Sequence, residues 1–332
     1  MALMICSGGG HLKQLHTLAP RLGVRPEEQV WVTFDNGLSR SLLADRDVHF
    51  GPFVAPRDLA GLRRFRALFL DVAAEYDFDR VFSTGSSPAV IALPHLARRG
   101  VEAHYIESAA RAAGPSVTGR IVATQSKVAT YTQYRGWESK RWQYRGSIFD
   151  AYEPGPARPT PERIRKAVVT VGTQEGYGFD RLYDALVPLL ADCDEVLWQT
   201  GTQDVTRWGI EGRARVPHDE LVAAVREADV VVAHSGTGSA ISAFEQGKAP
   251  VLVPRLARFG EHVDDHQLQI AAEFDGRGLA IQASPEALTM EMLLAAAART
   301  VEVTEAGPIA LQAPKRSRRA GSPAAGVAAR PA

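Results

Sequence analysis

Short apolar runs alternate along the chain with longer stretches in which apolar positions recur at helical spacing. In the first half, "ALMIC", "QVWVTF", "DVHFG", "RVFST", "AHYIE" and "IVATQ" predict strands, with helices over 11–22 and 59–75 between them. The second half repeats the scheme with "KAVVTVG", "EVLWQTG", "ARVPH", "DVVVAHSG" and "APVLVP", and closes on a helical pattern near 285–303. Strands that alternate with helices predict parallel sheets with helices on their faces, an α/β class of doubly wound, Rossmann-like type.

The periodicity fails in "YEPGPARPTPERIRK", residues 152–166, where four prolines interrupt any regular element. This stretch is expected to link a domain spanning 1–151 to one spanning 167–306, and a chain of 332 residues suits two domains of about 150 each. Residues 307–332, rich in Pro, Ala, Gly and Arg, predict a disordered, solvated tail that carries the basic cluster "KRSRR". Two doubly wound domains bind ligands where the C-terminal ends of their strands face one another, so a central cleft is the expected site.

Charge narrows the partners. Thirty-eight basic residues balance thirty-eight acidic ones, which excludes a global field suited to nucleic acid and makes any anion site local. Two cysteines, Cys6 and Cys193, are too few for a disulfide framework, and no stretch reads as a signal peptide or a membrane span, so a cytoplasmic location is expected. Helix 59–75 places Leu62, Phe65, Phe69 and Val72 on one side among Arg63, Arg64 and Arg66. That pattern is compatible with peripheral docking on anionic lipid, although a core-facing helix with a solvated basic face is the better-supported reading.

Candidate chemistry gathers at predicted strand ends. "CSGGGHLKQL" runs from a strand through Ser7, Gly8, Gly9 and Gly10 to His11 at a helix start, where close backbone approach and helix polarity favour an anion or polar acceptor. It lacks the register of the dinucleotide fingerprint, and Asp35 is a poor match for that motif's acid. His11 either caps the loop or serves as a base; Glu107 in "HYIESAAR" is either a ligand for backbone N–H groups or a cleft carboxylate. "TVGTQEGYGFDRL" repeats the glycine logic at Gly172 and Thr173, and "HSGTGSAISAFEQ" repeats it at Ser235, Gly236, Thr237 and Gly238, with Glu245 further along the helix as a candidate for a vicinal diol. In "HVDDHQ", His262, Asp264, Asp265 and His266 invite a metal, but Asp265 and His266 are adjacent at a helix start and should point apart, so no metal is expected. "DFD" at 77–79 precedes a strand and carries little weight.

The glycine turn with His11, "YIES", "VGTQ", the "HSGTGSAISAFEQGKAPVLVP" block and "DDHQ", in this order over residues 3 to about 282, resemble the glycosyltransferase family 28 group of GT-B enzymes. Within that group the chain resembles a fused form of the two-subunit transferases acting on polyprenyl- or dolichol-diphosphate-linked sugars, with the lipid II-forming peptidoglycan transferase as a more distant relative. The resemblance implies a UDP-sugar donor held by the second domain, its diphosphate over Gly172, Thr173 and Ser235 to Gly238, its ribose on Glu245 and its sugar on Gln267 supported by Asp265 and His266. It further implies an acceptor at Gly8, Gly9, Gly10 and Arg111, a catalytic base that is His11 or Glu107, inversion at the anomeric carbon and no metal or other cofactor. The expected activity is transfer of a sugar to a lipid-linked or carrier-bound saccharide in polysaccharide or glycoconjugate biosynthesis at the cell envelope. Rival readings are a nucleotide-sugar epimerase of the same fold and a non-catalytic partner of a transferase.

Overall fold

The protein is described by a computed structural model covering residues 1–55, 58–172 and 176–312. The first domain carries strands β1 (Ala2–Cys6), β2 (Gln29–Phe34), β3 (Asp47–Gly51), β4 (Arg80–Gly85), β5 (Glu102–Ile106), β6 (Val128–Thr132) and β7 (Trp142–Tyr144). They form one parallel sheet in the order β3-β2-β1-β4-β5-β6-β7. Helices α1 (Gly10–Leu18), α2 (Gly37–Leu42), α3 (Leu59–Glu75), α4 (Ser87–Arg98) and α5 (Val117–Ala123) connect them. After β8 (Tyr152–Pro154), the second domain holds β9 (Lys166–Thr170), β10 (Glu195–Gln199), β11 (Gly212–Arg213), β12 (Val230–His234), β13 (Val251–Val253) and β14 (Ile281–Gln282) in the parallel order β11-β10-β9-β12-β13-β14. Its helices are α6 (Asp180–Leu189), α7 (His218–Glu227), α8 (Thr237–Glu245), α9 (His266–Gly276) and α10 (Met290–Ala298).

Both sheets reverse direction at their first strand, so β1/β4 and β9/β12 are the switch points where a doubly wound sheet opens a crevice at its C-terminal edge. Side chains of β1 alternate between two cores: Ala2, Met4 and Cys6 point to one face, Leu3 and Ile5 to the other. The first of these cores runs on into the second domain, where Phe149 meets Phe274 edge-on at 4.7 Å and Tyr152 lies 5.3 Å from Phe244. A shared apolar seam therefore holds the two domains together.

Several local expectations change. "IVATQ", expected as a strand, belongs to α5: Ser116 accepts a hydrogen bond from the Gly119 N–H and caps a helix there, and the strand starts later at Val128. "ARVPH" follows the short β11 instead of forming it. The helical pattern near 285–303 is interrupted, α10 ending at Ala298 and the chain turning into β15 (Val301–Val303), which pairs antiparallel with β8. The expected tail does not begin at 307, because Ile309 is buried and its N–H donates to the Arg21 carbonyl, while Tyr131 Oη donates to the Gln312 carbonyl. Residues 307–312 thus lie on the first domain, and 313–332 fall outside the described residues. Phe65, Phe69 and Val72 of α3 are core residues, as the better-supported reading of that helix had it.

Candidate active site

On the first-domain side, the glycine turn follows β1 and opens α1. Gly9 has φ +69, a left-handed conformation natural to glycine, and Gly8 lies so close to Asn36 that a β-carbon would stand 2.5 Å from its amide nitrogen. His11, in the first turn of α1, points back onto the β4 end, its Nδ1 2.6 Å from the Thr84 carbonyl. A carbonyl only accepts, so the proton sits on Nδ1 and the neutral ring presents a free lone pair at Nε2. Burial is the main influence holding the His11 pKa below the ordinary range; the Thr84 bond opposes it and the Arg111 charge adds to it. The ring is therefore held in its neutral form, with Nε2 able to accept a proton.

Glu107, the other expected base, has a different place. It has no exposed surface, and its carboxylate accepts from Ser108 N, Ser116 N, Ser116 Oγ and Tyr105 Oη at 2.9–3.2 Å. Burial pushes its pKa up against those hydrogen bonds. The carboxylate is spent on tying the loop after β5 to the cap of α5, which corrects the reading of Glu107 as a cleft base. The helix it anchors matters, because Val117 and Ile121 of α5 form one wall of an apolar cavity of about 750 Å³ that also touches Gly8, Gly9, Phe34 and Leu62. Phe53, Leu59 and Val117 stand 67%, 69% and 72% exposed around it.

On the second-domain side, sequence reasoning missed the residue that organises both glycine turns. The His234 ring ends β12 and packs between Gly172 and Gly236; a β-carbon on Gly172 would stand 2.7 Å from the ring. Burial above all, then the nearby Arg255 charge, lowers its pKa to about 3, so it is a neutral spacer. Gly172 has φ +76, and Thr173 lies outside the described residues. Ser235 is fully buried with an unpartnered hydroxyl, Gly236 is the cap of α8, and Thr237 and Gly238 form its first turn. Uncovered N–H groups at that helix start suit an anion. Glu245 is displaced from this expectation: it closes the far end of α8, about 12 Å from its start at helical rise, and lies beside the Tyr152 hydroxyl on β8. The ribose role drawn from the resemblance does not fit that position.

The loop after β13 joins the two sides. Arg111 Nη1 reaches across from the first domain to Asp264 Oδ2 at 3.2 Å, and Asp264 Oδ1 also meets His266 Nδ1. Gln267 is buried, its Oε1 accepting from the Arg255 N–H at 3.1 Å, and Asp265 Oδ1 accepts from the Ala257 N–H. These two hold the loop in shape. Glu261 anchors it further through a paired contact with Arg181 at 2.8–2.9 Å. The acid that turns toward both imidazoles is Asp264 and not Asp265: His262, Asp264 and His266 each bring a ligand atom within 4.8 Å of the others. The Asp264 carboxylate of that group is already engaged by Arg111. A signal for His234 was present in the sequence, a histidine between a buried strand and a glycine turn, but its packing partner Gly172 is distant in the chain.

Comparison with known proteins places these features in a family context. Residues 167–306 match the glycosyltransferase family 28 C-terminal domain. Among solved structures, MurG of Acinetobacter baumannii superposes with a TM-score of 0.56 at 18% identity, covering 89% of each chain. CalG4, the calicheamicin glycosyltransferase, gives 0.56 at 15% identity over 90% of this chain and 89% of its own, and the glycotransferase of kitacinnamycin gives 0.55 at 16% over 89% of each. No curated protein sequence matches. At such identities the structural likeness establishes the fold, two Rossmann-like domains around a cleft, and the family match covers the second of them.

Proposed function

We propose that this chain, a family 28-like glycosyltransferase of the GT-B fold, is an inverting, metal-independent enzyme that moves a sugar from a UDP-sugar to a lipid-linked or carrier-bound saccharide in envelope polysaccharide or glycoconjugate synthesis. The observation that carries the acceptor class is the apolar cavity lined by Gly8 and Gly9, in the turn that leads into the helix carrying His11. A hydrophilic acceptor alone has no use for that wall, whereas an acceptor with an apolar carrier lays its chain there and its sugar on the turn. Among the described residues no helix is long and apolar enough to cross a membrane.

The donor diphosphate would rest on the Gly172 and Ser235–Gly238 turns. His11 Nε2 takes the acceptor hydroxyl proton as the oxygen attacks the anomeric carbon from the face opposite the diphosphate; the carbon–oxygen bond to UDP breaks and configuration inverts. The N–H groups opening α8 accept the charge that develops on the leaving group. Arg111, across the cleft on Asp264, is placed to take an acceptor phosphate once Asp264 lets go.

The test is titration with UDP, GDP and TDP, with and without EDTA, followed by transfer of radiolabelled sugar from UDP-sugars to polyprenyl-diphosphate-linked saccharides. Saturable UDP binding and EDTA-resistant transfer are expected. Activity abolished by EDTA and restored by a divalent ion would overturn metal independence and turn attention to His262, Asp264 and His266, and transfer confined to water-soluble acceptors would overturn the acceptor class.

A further inference from the structure

Arg255 follows β13 at the edge of the donor turns and is only 2% exposed, yet it makes no ion pair among the described residues and its Nε has no hydrogen-bond partner. The other sequestered arginines are provided for. Arg141 donates to the carbonyls of Ala123, Val122, Gln125 and Val128, and Arg181 is paired with Glu261. Glu261 is the carboxylate whose field reaches Arg255, and it is already committed to Arg181 and to the Leu256 N–H.

The guanidinium carbon lies 5.5 Å from the Phe179 ring centroid, in a setting that includes Tyr183, His234 and His262. None of those neighbours offers a negative charge. Two further buried polar atoms in the same domain lack partners, the Tyr183 hydroxyl, which feels the Arg255 charge, and the Ser235 hydroxyl that leads into α8. A buried cation without a counter-charge is costly, and natural cores seldom keep one without use.

We infer that Arg255 is the buried counter-charge of the donor diphosphate, completing with the Ser235 hydroxyl and the α8 N-terminus an anion site that is electrostatically unbalanced until the nucleotide binds. The inference rests on the UDP-donor reading above and adds a positioning residue to it. The guanidinium acts through the low-dielectric wall beneath the turns, where its attraction for the phosphates is poorly screened, and it steadies the same charge as UDP departs. The neutral His234 spacer keeps a second positive charge out of that wall.

The two consequences for an Arg255→Met variant have opposite signs. Removing an unpaired buried charge while keeping a long apolar stem should raise the melting temperature of the ligand-free protein. The same change should weaken UDP binding about 10- to 100-fold, the span expected for a charge acting at several ångströms in such a medium, with uridine affinity unchanged. Arg255→Lys, which keeps the charge, should bind UDP within a few-fold of wild type, and Arg255→Gln, which removes the charge, provides the same comparison if the Met variant does not fold. The measurement is calorimetric titration of wild type and the variants with UDP and with uridine. Equal loss for UDP and uridine, or no loss for either, overturns the role of Arg255 alone; a Lys variant as weak toward UDP as the Met variant also overturns it. Wild-type protein that binds no UDP removes the donor reading itself, a separate and distinguishable failure.

Discussion

At the scale of single residues the structure separates two side chains that the sequence left level. His11 has its tautomer fixed by Thr84 and its pKa held down chiefly by burial, so it remains neutral at pH values where an exposed imidazole would be charged. The activity profile should accordingly be flat through neutrality with its acidic limb below pH ~6.5, the ordinary histidine value. His11→Asn should lower turnover roughly 10²- to 10⁴-fold with UDP affinity unchanged. Because the Arg111 charge helps depress the His11 pKa, Arg111→Met should move the acidic limb to higher pH, which a pH–rate series on that variant checks. Glu107 should behave otherwise: Glu107→Ala strips the partner from the buried Ser108 N–H, at about 1–3 kcal/mol for a buried donor left unsatisfied, and from the part-buried Ser116 N–H. By loosening α5 it should raise the acceptor KM without moving the pH limb, and steady-state kinetics beside a denaturant titration would show whether it does.

At the scale of elements, the glycine turns were legible in the sequence because only small residues at strand ends leave backbone uncovered, and the turns stand at the switch points of both sheets. What supports them was not, since His234 touches Gly172 across a gap that no local pattern encodes. The same limit explains the error at "IVATQ", a short apolar run whose state was decided by the Ser116 cap and not by its own composition. Glu245 shows a different limit: position on a helix is readable, but which partner its end meets is not, and it meets Tyr152. Glu245→Ala should therefore leave UDP affinity within about twofold of wild type, as expected for a surface side chain outside the site. Gly172→Ala should weaken it strongly, since the new β-carbon meets His234 at 2.7 Å and the backbone has φ +76, a strain of about 1–3 kcal/mol. Titrating both variants with UDP tests whether the turn, and not the helix end, carries the proposed donor.

At the scale of the whole molecule, the two-domain plan was visible from the proline-rich stretch after Ala151, but the degree of coupling was not. The apolar seam joins Phe149 on one side to Phe244 and Phe274 on the other, β15 returns to pair with β8, and the segment through Gln312 lies on the first domain. Domains tied in this way should unfold together, so a calorimetric scan is expected to show a single transition although the chain has two sheets. Phe274 is fully buried with a ring edge-on to both Phe149 and Phe244, and Phe274→Ala should remove about 3–5 kcal/mol from that common transition by opening a cavity in the seam. If the domains were instead independent, the substitution would lower one of two transitions and leave the other in place. Cooperative unfolding matters for the chemistry, since Arg111 and Asp264 face each other from different domains and their 3.2 Å contact persists only while the seam fixes the width of the cleft.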